Sequence, residues 1–98
     1  NKLVPLPQVP LVEKDLAVIV DEDIKWLDIS QYIKSKVSSL EFKEEYRGNQ
    51  IPEGKKSIMF TFTIGDGLTT MTSEEINKVM DGIIKTLNKT CGATLREE

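Results

Sequence analysis

The sequence predicts an α+β sandwich: a four-stranded antiparallel sheet with two helices on one face, in the chain order βαββαβ. Three observations carry the prediction. Apolar residues alternate with period two in "SIMFTFTIG". They recur at helical spacing from Trp26 to Val37 and again from Ile76 to Leu87. Segments rich in glycine, proline and charge separate these runs. With 98 residues the chain has the size of one domain.

The elements follow in order. Residues 1–14, "NKLVPLPQVPLVEK", carry three prolines and read as an extended lead-in, with the folded domain spanning residues 15–98. "DLAVIVD", Asp15 to Asp21, is a short apolar run between charges and reads as a buried strand. Alternation puts Leu16, Val18 and Val20 on one face and Ala17 and Ile19 on the other. Trp26, Ile29, Ile33 and Val37 then mark one side of a helix, with Trp26 as a packing residue. "LEFKEEYRG" is the second strand and "GNQIPEG" a loop.

"SIMFTFTIG" is the clearest strand. Ile58, Phe60, Phe62 and Ile64 alternate with Met59, Thr61 and Thr63. "GDG" at residues 65–67 is a turn and not a phosphate loop, because no Gly-Lys-Ser/Thr and helix follow it. Thr72 and Glu75 have the spacing of a capping box. After them Ile76, Val79, Met80, Ile83, Ile84 and Leu87 form an apolar stripe, with Gly82 on the polar side and Gly92 as the stop. "ATLR" is a short last strand. Right-handed crossovers place the first and third strands centrally. The whole is a ferredoxin-like split βαβ arrangement with one sheet face uncovered.

Composition narrows the chemistry. The chain has no histidine and one cysteine, Cys91. That removes Ser-His and Cys-His catalysis, the common zinc sites and any internal disulfide. Cys91 is expected to be a buried apolar side chain at a helix end. The absence of disulfides fits a cytosolic setting, and no apolar run is long enough to span a bilayer. The net charge of −3 argues against strong sequence-blind binding of nucleic acid. The charge is uneven, however: residues 21–28 hold four acids and one lysine, and residues 47–56 hold three bases and one acid.

Four segments, "VEKDLAVIVDED", "EYRGNQIPEGKKS", "TMTSEEINKVM" and "GATLR", occur in an order that resembles the ferredoxin-fold anticodon-binding domain of the bacterial phenylalanyl-tRNA synthetase β subunit. The resemblance covers about Pro10 to Arg96. It implies a non-catalytic module that binds the anticodon of a phenylalanine-specific tRNA on the open sheet face, in the cytoplasm. It implies no cofactor in this domain. ATP and magnesium belong to the parent ligase, whose catalytic centre lies on a separate α subunit of a heterotetramer. Carried onto this sequence, the ring that stacks on the first anticodon base, a guanine, is Tyr46. The acid and hydroxyl that bond the base are Glu44 and Ser57, and the small residue that admits it is Ala17. Apart from the resemblance, Arg47, Lys55 and Lys56 read either as surface charges or as phosphate contacts, the role that bases near an RNA site take.

The family carries Arg-Asp where Lys14 and Asp15 stand here, and Phe-Asp-x-Tyr-x-Gly where this chain has Phe42-Lys43-Glu44-Glu45-Tyr46-Arg47-Gly48. One extra residue separates the aromatics. Strict alternation puts Phe42, Glu44 and Tyr46 on a single face, so either Tyr46 joins the core or a β-bulge at Lys43 or Glu44 turns it to the open side. On pattern alone Tyr46 is a half-buried strand residue and Glu44 a solvated edge charge. The alternative function on the same fold is a small-molecule regulatory module of the ACT type. It and an acylphosphatase-like hydrolase are disfavoured by the acids Asp21, Glu22 and Asp23 in the first strand–helix turn. A role purely in assembly is the remaining alternative.

Overall fold

The computed structural model describes residues 9–96, so the lead-in reading of residues 1–8 lies outside the described residues. The elements are β1 (Val12–Asp21), α1 (Trp26–Ile33), a 3₁₀ turn (Lys34–Lys36), β2 (Ser39–Tyr46), β3 (Lys55–Ile64), α2 (Ser73–Cys91) and β4 (Thr94–Leu95). The sheet order is β2-β3-β1-β4 and every pairing is antiparallel. β1 and β3 are therefore central, as the crossover rule requires. β1 begins at Val12, three residues before Asp15, because Val12, Glu13 and Lys14 pair with Ile64, Thr63 and Phe62.

Alternation decides which side chains meet the helices. Leu16, Val18 and Val20 of β1 and Ile58, Phe60, Phe62 and Ile64 of β3 all point to the helical side and are buried. Ile29 and Ile33 from α1 and Ile83 and Leu87 from α2 close over them. Only these two positions of the α2 stripe are fully enclosed. Ile76, Val79, Met80 and Ile84 lie partly exposed at the margin of the same core. Trp26 stands against Phe42 and Phe60, with ring centroids 5.7 and 5.4 Å apart, which is tilted aromatic packing. Cys91 is buried at the end of α2.

The helix ends follow from local chemistry. The Thr72 hydroxyl accepts from the Glu75 amide at 3.1 Å, and the Glu75 carboxylate accepts from the Thr72 amide at 2.8 Å. Two of the free donors at the start of α2 are thus met. Gly92 ends the helix at φ 68°, a left-handed conformation that suits glycine. At α1 the Asp28 carboxylate accepts from the Lys25 amide. In the 65–69 turn, the amides of Leu68 and Thr69 donate to Asp66 and hold its carboxyl below the usual range. Among the described residues no helix is long and apolar enough to cross a membrane.

Gly82 lies in the middle of α2 with open space where a side chain would project. Gly82→Ala is expected to stabilise the chain by about 1 kcal/mol, the helix-propensity difference between the two residues. A higher urea midpoint with an unchanged slope is the expected readout.

Candidate nucleic-acid interface

The face of the sheet away from the helices carries the predicted residues, and one local irregularity puts them there. β2 pairs with β3 in regular register from Ser39 to Phe42, with Phe42 opposite Phe60. The next pair is Glu44 with Met59, so Lys43 is the extra residue of a β-bulge. Beyond it the parity of β2 is reversed. Phe42 stays on the helical side against Trp26, while Glu44 and Tyr46, opposite Met59 and Ser57, turn to the open face. Of the two alternatives the extra residue raised, the bulge is the one the chain adopts.

Ala17 of β1 pairs with Met59 and so shares that face. Ala17, Glu44, Tyr46 and Ser57 therefore project from three adjacent strands on one side of the sheet. Two shallow depressions of about 350 and 250 Å³ lie on this side, and Asp15 and Met59 line both. Glu44 borders the larger, Ala17 and Arg96 the smaller. Thr61 donates to Asp15 at 2.6 Å along the same surface.

The three candidate phosphate contacts are placed differently. Lys56 pairs with Val20 on the helical side, is 5% exposed, and forms an ion pair with Glu45 at 3.0 Å. It faces away from Tyr46 because β3 alternates: if Ser57 faces out, Lys56 faces in. The same bulge that exposes Tyr46 turns Glu45 inward to meet it. Lys55 is paired with Asp21, and Arg47 lies 3.9 Å from Glu45. The basic run of the β2–β3 loop is thus matched by acids of the same domain.

The cation beside the ring is Arg96. It follows β4, and its amide donates to the Ala17 carbonyl, which continues the pairing of β4 with β1. Its side chain then crosses the open face. The guanidinium lies 5.1 Å from the centre of the Tyr46 ring and donates to Ser57 at 3.3 Å and to the Gln50 side-chain oxygen at 3.4 Å. The sequence contains a usable signal for this residue. In "ATLR" arginine stands two residues after Thr94, and alternation from an open-face Thr94 puts Arg96 on the same side.

Gly48 completes the arrangement. A Cβ at that position would collide with the Tyr46 hydroxyl and lie 2.6 Å from Cζ of its ring. Glycine is needed for this close approach, since the ring folds back over the backbone two residues on. Gly48→Ala is expected to shift the Tyr46 ring, abolish ring contacts to Arg96 in NMR spectra and change the melting temperature little. An unmoved ring would contradict this placement.

An α+β sandwich with one sheet face uncovered by helices, and on that face a tyrosine beside a carboxylate, a hydroxyl and a guanidinium, belongs to the class of ferredoxin-like domains that present stacking and hydrogen-bonding groups on an open sheet. Comparison with known proteins gives the same class. The sequence model of the ferredoxin-fold anticodon binding domain matches residues 7–96, and the chain belongs to that family. It is a binding domain and not itself a catalyst. The chain is 39% identical over 95 residues to the phenylalanine–tRNA ligase β subunit of Clostridium acetobutylicum. It is 34% identical to the proteins of the same name from Halalkalibacterium halodurans, over 96 residues, and Legionella pneumophila, over 98 residues. These alignments cover 93%, 94% and 95% of the chain respectively, and 12% of each relative. The chain thus spans about one-eighth of the length of the curated relatives it matches.

Proposed function

We propose that the chain binds the anticodon loop of a phenylalanine-specific tRNA on its open sheet face, as the anticodon-reading domain of a cytoplasmic phenylalanine–tRNA ligase β subunit. The observation that carries this reading is the bulge at Lys43, which brings Tyr46 and Glu44 to the same face as Ser57 and Ala17. Each has a part in holding a guanine. The Tyr46 ring offers a stacking surface. The Glu44 carboxylate only accepts, which suits the N–H groups of the Watson–Crick edge. The Ser57 hydroxyl can donate to O6. Ala17 leaves the floor low. Bases in a loop can be splayed out and read in this way, whereas those inside an A-form helix cannot.

ATP and magnesium are assigned to the catalytic α subunit of the same heterotetramer, and this domain contributes tRNA recognition alone. Arg47 and Lys55 contribute phosphate contacts by exchanging their acidic partners for the RNA backbone. Lys56 contributes through the fold, by anchoring the edge strand to Glu45.

The test is a titration of the chain with an anticodon stem-loop at low and at physiological salt. Weak, salt-sensitive binding is expected, because the chain is net acidic and few cations face the RNA. A variant carrying Glu44→Ala, Tyr46→Ala and Ser57→Ala together is expected to lose it. Unchanged binding by that variant would remove the proposed site, and tight, sequence-blind binding by the native chain would refute the mode of recognition.

A further inference from the structure

We propose that Arg96 is an internal ligand of the base site: in the free domain its guanidinium occupies the place of the base, and recognition is an exchange of one for the other. The inference rests on the anticodon-binding reading and adds a residue to that site.

The geometry carries it. Ser57 is only 2% exposed although it lies on the uncovered face of the sheet. Tyr46 pairs with it from the neighbouring strand, and Arg96 reaches its hydroxyl from the far side. A base therefore cannot bond Ser57 until this cover moves. The guanidinium makes two of the three contacts that a guanine at this site would make, one with the tyrosine ring and one with the serine hydroxyl, and leaves Glu44 free. It is planar and stacks as a base does, and it donates to the serine oxygen where the base would accept the serine proton at O6, an exchange that a rotating hydroxyl allows. Among the described residues no buried side-chain polar atom is left unpaired, and Arg96 is the partner that keeps Ser57 from being so.

The cover is also easily released. Both hydrogen bonds are long, at 3.3 and 3.4 Å, and both acceptors are neutral. Arg47, Lys55 and Lys56 by contrast pair with carboxylates. The exchange makes the site selective. A ligand that stacks on the ring but offers nothing to Ser57 replaces one contact and leaves a buried hydroxyl unpaired, which is costly.

The test compares the native chain with Arg96→Ala, using guanosine and an anticodon stem-loop as probes and the amide signals of Ala17, Ser57 and Met59 as reporters. Guanosine has no phosphate, so loss of a positive charge does not mask the result. Alanine keeps the amide that donates to Ala17. Removing a cation–π competitor worth about 0.5–1 kcal/mol should tighten guanosine binding about 2- to 5-fold. On the native chain, guanosine should also release the Arg96 side-chain N–H signals to fast exchange with water. Equal or weaker guanosine binding by Arg96→Ala would overturn the proposal, as would Arg96 signals that stay protected in the bound state. If neither probe shifts the three reporters on the native chain, it is the anticodon-binding reading that fails.

Discussion

Replacing Tyr46 by alanine is expected to weaken binding of the phenylalanine-tRNA anticodon stem-loop by about 5- to 150-fold, the equivalent of the roughly 1–3 kcal/mol that one base–aromatic stack provides. The melting temperature should hardly change. The ring is 37% exposed and lies outside the core cluster, so its loss opens no cavity among the helices. Tyr46→Phe keeps the stacking surface and should bind nearly as the native chain does. Tyr46→Leu, apolar without an aromatic face, should behave like alanine. The series separates stacking from simple burial. Native-like affinity of Tyr46→Ala would mean that no base rests on this ring.

The largest effect on stability is expected at Phe60. Its side chain is fully buried, paired across β2 with Phe42 and across β1 with Leu16, and packed against Trp26 and Phe62. Phe60→Ala should cost about 3–5 kcal/mol, made up of lost transfer energy and a cavity that rigid neighbouring strands cannot close. A domain of this size has about 5–15 kcal/mol of stability, so the loss is a large part of the total. Urea unfolding followed by tryptophan fluorescence would read it directly, because Trp26 is in contact with the ring. Met59→Ala, one residue away on the open face, should cost far less. Equal losses at the two positions would contradict the assignment of core and open faces.

The two variants probe opposite sides of one sheet, and the separation comes from the parity of β3. Ile58, Phe60 and Phe62 build the core while Ser57, Met59 and Thr61 face the open side. Changes on one side can therefore be made with little effect on the other. The exception is the β2–β3 edge, where the bulge at Lys43 serves both. It turns Tyr46 and Glu44 to the open face, and it sends Glu45 inward to pair with the buried Lys56. Removing the bulge would return Tyr46 to the helical side and leave Lys56 without its carboxylate.

The sequence by itself determined the order of elements, the helical faces, the central position of β1 and β3 and the inward residues of both. These rest on local periodicity, on caps such as Thr72–Glu75 and on the handedness of crossovers, all of which act within one segment or between neighbours in the chain. It also singled out Ala17, Glu44, Tyr46 and Ser57 through their family resemblance. Which face Tyr46 takes was decided only in the tertiary structure, since the site of a bulge depends on how β2 registers against β3. The pairing of Lys56 with Glu45 and the reach of Arg96 across β1 and β3 to Tyr46 were decided there as well. Such contacts join residues up to fifty positions apart. Their energies depend on where the sheet brings charges and rings together, and local pattern holds no record of that distance.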